Sequence, residues 1–277
     1  MAENSKFILA GGIETHYHEA GQGEPLLLIH GSGPGVSAWA NWRLVFPILS
    51  EHFHVMAPDV VGFGYTKRPE GIHYSVDRWV THMIDFIEAM RLERVSIVGN
   101  SMGGALALQI AHRRPDLVDK LILMGSVGVS FPITKELDQV WGYTPSFENM
   151  KALIRTFSYD QSMAENDDLV ELRYQASMQE GFQEAFSAMF PAPRQRHVDA
   201  LALPEKALRD IQIPTLLIHG REDRVIPIEQ TSWKLAGLLP HVQLHVFSQC
   251  GHWTQIEQTQ GFVDQVMGFL KSGPVKR

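Results

Sequence analysis

The stretch Val95-Ser-Ile-Val-Gly99-Asn100-Ser101-Met102-Gly103-Gly104 decides the fold. Its first half is a short apolar run of the kind a strand buried on both faces needs. Its second half is a G-x-S-x-G turn, followed by Ala105, Leu108, Ile110 and Ala111 in a helical pattern. G-x-S-x-G alone is weak evidence. Between a buried strand and a helix it is specific: Gly99, Gly103 and Gly104 let the turn be sharp and the helix pack close to the strand. Ser101 then stands above the sheet edge at the positive end of a helix dipole, placed as a nucleophile. The competing reading is a tight strand-to-helix turn with an incidental serine.

Similar apolar runs recur on either side, at Pro25–Ile29, His54–Ala57, Leu121–Met124, Thr215–Ile218 and Leu244–Phe247, several of them ending in Gly, Asp or Ser. Ahead of them, Lys6–Ala10, a Gly11-Gly12 turn and the alternating Ile13–Glu19 read as an exposed antiparallel hairpin. A helix opens at the N-cap candidate Ser75 and lines up Val76, Trp79, Val80, Met83, Ile84 and Ile87 along one stripe. Strands alternating with helices predict an α/β fold: a mostly parallel sheet with helices on both faces. The alternation stops near Phe131 and resumes near Ile211. The Met- and aromatic-rich stretch between, with Trp141, Phe147, Met150, Phe157, Phe182, Phe186, Met189 and Phe190, reads as an inserted helical cap. The expected division is core 1–133, cap 134–208 and core 209–277, with the tail Ser272–Arg277 frayed.

A chain of 277 residues with 44% hydrophobic residues can bury one large core. Its net charge of −7 is spread rather than blocked, which argues against nucleic acid and anionic membranes as partners. The single cysteine, Cys250, excludes an internal disulfide. The polar start Met1–Lys6 and the short apolar run Phe7–Ala10 match neither a signal segment nor a membrane span, so a cytoplasmic protein is expected. No Cys/His spacing fits zinc and no glycine-rich loop fits a dinucleotide or Walker fingerprint, so neither metal nor organic cofactor is expected.

A serine hydroxyl needs a base, and the base needs a carboxylate to orient it. His252 is favoured among thirteen histidines because Gln249-Cys-Gly-His252-Trp253 follows the last strand, where a loop can project it over the sheet edge. His82, on a helix, and His112, before Arg113-Arg114, read as solvated or core-satisfied. Asp223 follows the Thr215–Ile218 strand and precedes His252, as the acid should; Glu222 is its local rival and Asp59 a distant one. Acyl chemistry also needs two backbone donors at the oxyanion, and Met102 N–H and Ser32 N–H, the latter in His30-Gly-Ser-Gly-Pro-Gly35, are the candidates.

The segments His30–Trp42, Gly99–Gly104, Met189–Arg196, Gly220–Pro227 and Val246–Trp253 resemble the meta-cleavage product hydrolases, of the α/β-hydrolase fold, nearly end to end. The resemblance implies hydrolysis of a carbon–carbon bond in 2-hydroxy-6-oxo-2,4-dienoates from aromatic ring opening. The substrates are 2-hydroxymuconic semialdehyde and short alkyl analogues, and the products 2-hydroxypenta-2,4-dienoate and a carboxylic acid. It also implies a homo-oligomer, and that Arg173 on a cap helix holds the substrate carboxylate. Helical spacing independently puts Arg173 on a face with Leu169, Leu172 and Ala176, turned toward apolar surroundings; a surface ion pair is the alternative. Asn41, Asn100 and Trp253 match family pocket positions, the two amides toward the dienol end. A carboxylesterase of the same fold and a triad-bearing ligand receptor are the alternatives to be tested.

Overall fold

The computed structural model describes residues 4–272. Met1–Glu3, and the tail beyond Ser272 expected to fray, lie outside the described residues. The described residues form an eight-stranded sheet in the order β1-β2-β4-β3-β5-β6-β7-β8. The strands are β1 Ser5–Ala10, β2 Ile13–Ala20, β3 Pro25–Ile29, β4 His54–Pro58, β5 Val95–Asn100, β6 Val118–Met124, β7 Thr215–Gly220 and β8 Val242–Phe247. From β4 to β8 every pairing is parallel; β2 joins β1 and β4 antiparallel. The apolar runs mark the strands: β3 coincides with its run, and β4 to β8 extend one to three residues past theirs.

In β3 the side chains alternate between the two faces of the sheet. Leu27 and Ile29 belong to one core layer, Leu26 and Leu28 to the other, and all four are fully buried. Burial on this scale stabilises by about 2 kcal/mol per side chain, which is why β3 needs no polar face. The hairpin departs from expectation. β1 is largely exposed, but β2 buries Thr15, His16, Tyr17 and His18, since pairing with β4 places it inside the sheet.

The helix Val76–Ala89 starts where predicted, with Ser75 Oγ accepting from Arg78 N–H. Beside it, Met102–Arg113 is buried at every residue from Met102 to Ala111, because it lies between the sheet and other helices. A Cβ on Gly103 would sit 2.2 Å from the carbonyl oxygen of Ile29. Only glycine lets this helix begin so close to the end of β3.

Between β6 and β7 the chain leaves the sheet for the helices Lys135–Trp141, Phe147–Phe157, Ser162–Glu165, Asp167–Ser177, Phe182–Met189 and Gln195–Leu201. A further helix, Glu205–Asp210, spans residue 208, where the core was expected to resume. Aromatic packing ties the layer together: Trp141 and Phe190 stack at 4.4 Å, and Phe190 also meets Trp79 of the core at 5.8 Å. The helical layer meets two core loops backbone to backbone: a Cβ on Gly35 would lie 2.6 Å from Ser177 N, and one on Gly251 2.6 Å from Phe157 O.

Candidate active site

Ser101 sits between β5 and the helix Met102–Arg113 with φ 54° and ψ −114°. A non-glycine residue is strained there. The conformation is held from three sides, Ser101 N–H donating to Met124 O at 2.9 Å while Ser101 O accepts from Gly104 and Val127 N–H. With its backbone over-determined in this way, the side chain is lifted off the sheet edge. Its hydroxyl makes no hydrogen bond among the described residues.

His252 donates from Nδ1 to Asp223 Oδ2 at 2.6 Å, with both side chains buried. An ionised carboxylate only accepts, so the proton lies on Nδ1 and Nε2 keeps a lone pair in the neutral ring. Asp223 Oδ1 accepts from Val225 and Ile226 N–H, both at 2.9 Å. Burial, the largest single influence, pushes the Asp223 pKa up. The electrostatic attraction of the neighbouring His252 and His219 imidazoles outweighs it, and the carboxyl is held well below its usual range. Neither rival acid reaches His252. Glu222 is taken by Arg221 and Cys250 N–H, and Asp59 by His16, Ala38 N–H and Tyr65 N–H.

Sequence reasoning missed the residues that hold this pair. His219 gives its Nε2–H to Ile226 O at 2.8 Å and lies 3.3 Å from Asp223 Oδ2, while its Nδ1 meets Ser232 Oγ. The His252 loop is pinned by His252 N–H to Phe157 O at 2.7 Å and by Glu257, which accepts from Gly251, Tyr159 and Asp160 N–H. The Phe157 ring stacks on His252 and, at 4.9 Å, on Trp253. The neighbouring Cys250 is no nucleophile, because burial pushes its thiol up to about 12.

The His30–Gly35 loop faces the serine turn. Neither Ser32 N–H nor Met102 N–H is engaged by another group among the described residues, and Ser32 Oγ accepts from Trp141 Nε1–H of the cap at 2.9 Å. A Cβ on Gly35 would lie 2.6 Å from Ser177 N, so the loop touches the backbone of the helix Asp167–Ser177 directly. That contact brings Arg173 over the site. Gly31, Ser32, Asn41, Asn100, Arg173, His252, Trp253 and Gln255 line one narrow cleft.

Arg173 is unlike the other arginines nearby. Its Nε is buried without a partner, its guanidinium lies 5.3 Å from the Trp253 ring centre, and no acid pairs with it among the described residues. Burial first, and then the charge of Arg43, lower its pKa to about 10, so it remains a cation at neutral pH. The helical face predicted for it needs one correction: Leu172 is 64% exposed and points to solvent, while Val170 and Ser177 are the buried neighbours. The two asparagines also differ. Asn100 already donates from Nδ2 to Met124 O, whereas Asn41 Nδ2 is buried and has no partner among the described residues.

The alpha/beta hydrolase fold family matches residues 24–259. The chain is 58% identical to a 2-hydroxy-6-oxo-2,4-heptadienoate hydrolase of Pseudomonas putida, over 97% of both proteins. It is 54% identical to a 2-hydroxymuconate semialdehyde hydrolase of Pseudomonas sp. strain CF600, covering 97% of this chain and 94% of that protein. A solved meta-cleavage product hydrolase from Pseudomonas fluorescens IP01 superposes with a TM-score of 0.94 at 53% identity, covering 96% of this chain and 97% of the other. The chain belongs to the meta-cleavage product hydrolases. As a member of the alpha/beta hydrolases it shares the fold with esterases, among them one from Rhodococcus sp. ECU1013 at 19% identity and a TM-score of 0.82. No helix among the described residues is long and apolar enough to cross a membrane.

Proposed function

We propose that the chain hydrolyses the carbon–carbon bond next to the C6 ketone or aldehyde of 2-hydroxy-6-oxo-2,4-dienoates, with 2-hydroxymuconic semialdehyde and its short alkyl analogues as substrates. The observation that carries this beyond a generic serine hydrolase is Arg173. A guanidinium with its Nε buried and no acid partner among the described residues is costly, and a substrate carboxylate repays it; a neutral ester has no group to do so.

With the C1 carboxylate on Arg173, the dienoate extends toward Ser101. The dienol must first become a ketone: the C2 O–H bond breaks, a C5–H bond forms, and the double bonds shift between them. His252 Nε2 is the base available to move these protons, kept in the right tautomer by Asp223. The C6 carbonyl then receives an oxygen nucleophile, either Ser101 Oγ or a water held by it. The oxyanion is met by Ser32 and Met102 N–H. The C5–C6 bond breaks, its electrons delocalise into the C2 ketone, and 2-hydroxypenta-2,4-dienoate leaves. Water releases the remaining fragment as a carboxylic acid, formate for the semialdehyde. Residues 134–208 act as the cap that closes this site. On family grounds the protein is a homo-oligomer, whose stoichiometry analytical ultracentrifugation measures, and the sequence reading places it in the cytoplasm.

Purified protein is expected to bleach the yellow ring-fission products of catechol and 3-methylcatechol. Persistent colour with every such dienoate, alongside fast turnover of simple esters, would favour a carboxylesterase; binding without turnover would favour a receptor. Rates across C6 substituents from hydrogen through alkyl to phenyl measure the pocket length.

A further inference from the structure

Three buried polar atoms of the cleft residues have no hydrogen-bond partner among the described residues: Arg173 Nε, Asn41 Nδ2 and Gln255 Oε1. The first two are donors and the third is an acceptor. Gln255 is 1% exposed. Its orientation is fixed, because Nε2 donates to the Asn41 carbonyl at 3.1 Å and a carbonyl takes nothing but a donor. Asn41 is oriented likewise, its Oδ1 facing Gly31 N–H at 3.5 Å, which leaves Nδ2 toward the cleft. A buried amide oxygen left without a donor is costly, so the pair asks for a ligand group that both accepts and donates. A hydroxyl does both.

We infer that Gln255 is a further substrate-binding residue. Its Oε1 accepts the hydrogen of the C2 hydroxyl, while Asn41 Nδ2 donates to the oxygen of the same group. The inference rests on the dienoate reading above and deepens it: a 2-hydroxydienoate carries its hydroxyl on the carbon next to the carboxylate, and the acceptor Gln255 lines the same cleft as the carboxylate-seeking Arg173. Gln255 takes no proton. Its effect is on recognition, because a C2 ketone offers no hydrogen and leaves Oε1 unpaired again. The site therefore holds the enol forms, incoming substrate and departing hydroxypentadienoate, in preference to their keto tautomers and to acids without the hydroxyl.

The test is competitive inhibition of dienoate turnover by two unreactive acids, 2-hydroxypenta-2,4-dienoate and penta-2,4-dienoate, measured as initial rates before the first ketonises. Wild-type protein is expected to bind the hydroxylated acid about tenfold more tightly, the value of one satisfied buried acceptor. Gln255→Met is expected to erase that preference by weakening the hydroxylated acid alone. Equal inhibition by both acids in the wild-type protein overturns the inference without any variant. So does a Gln255→Met protein that loses both acids equally, which is the signature of a displaced loop. Absence of dienoate turnover overturns the underlying reading as well, and is a distinct result.

Discussion

Among the described residues Ser5, His16 and Asp59 form a complete hydrogen-bond chain, yet it is His252, paired with Asp223, that lines a cleft. In the chain, Ser5 Oγ meets His16 Nε2 at 2.7 Å and His16 Nδ1 meets Asp59 Oδ2 at 2.7 Å. At the cleft, His252 and Asp223 are joined at 2.6 Å, while the Ser101 hydroxyl is unbonded among the described residues. The surroundings explain the difference. Asp59 also accepts from Ala38 and Tyr65 N–H at 2.6 and 2.8 Å, stapling the loop after β4, and Ser5 lies within the antiparallel strand β1 opposite His18. Ser101 has instead a strained backbone, a helix N-terminus and two unengaged N–H groups beside it, while Arg173 and His252 line one cleft. Hydrogen bonds between the three side chains make a stable network. Catalysis requires space at the serine and donors where negative charge will develop.

Exchanging single residues between the two roles gives the sharpest tests. Ser101→Ala is expected to lower kcat for dienoates by about 10⁴-fold or more, whereas Ser5→Ala leaves it within about twofold; similar losses from both would erase the distinction. Asp223→Asn should cost about 10⁴-fold in kcat with the fold retained. Asp59→Asn should leave kcat near wild type and lower unfolding free energy by about 3 kcal/mol, as expected for a broken buried pair, read from urea titrations. Arg173→Ala is expected to reduce kcat/KM for dienoates by about 10²-fold and to spare a neutral ester, so equal losses on the two substrates would remove its role.

The smallest effect is on stability against pH. The folded-state pKa of Asp223 is depressed, so its contribution is present above the ordinary carboxyl value of about 3.9 and is lost as pH falls below it. The stability difference between wild type and Asp223→Asn should therefore shrink from about pH 5 to pH 3, while a constant difference would show that Asp223 titrates alike in both states.

Much of the scaffold was legible because its signals are local. Short apolar runs mark strands buried on both faces, Ser75 caps the helix after it, and the glycines around Ser101 permit one kind of turn. The order Ser101, Asp223, His252 along the chain also named the groups that can perform acyl chemistry. Less was legible wherever a role depends on a distant partner. β2 looked half exposed because nothing in Ile13–Ala20 announces its pairing with β4. Leu172 seemed to share a face with Arg173 because helical spacing gives an angle and not the direction of the core. Phe157 passed as cap packing, although it stacks on both His252 and Trp253.

The sequence by itself determined the strand–turn–helix at Ser101, the alternation that makes a parallel sheet, and the chemistry of the triad side chains, all of which follow from spacing and residue type within a few positions. Only the tertiary structure decided that Asn100 spends its amide on the sheet while Asn41 does not, and that Arg173, Asn41 and Gln255 reach one cleft without partners among the described residues. The reason is physical. Whether a buried polar group is satisfied depends on what the rest of the chain brings within about 3 Å of it, and residues 41, 173 and 255 meet only after the whole fold has closed.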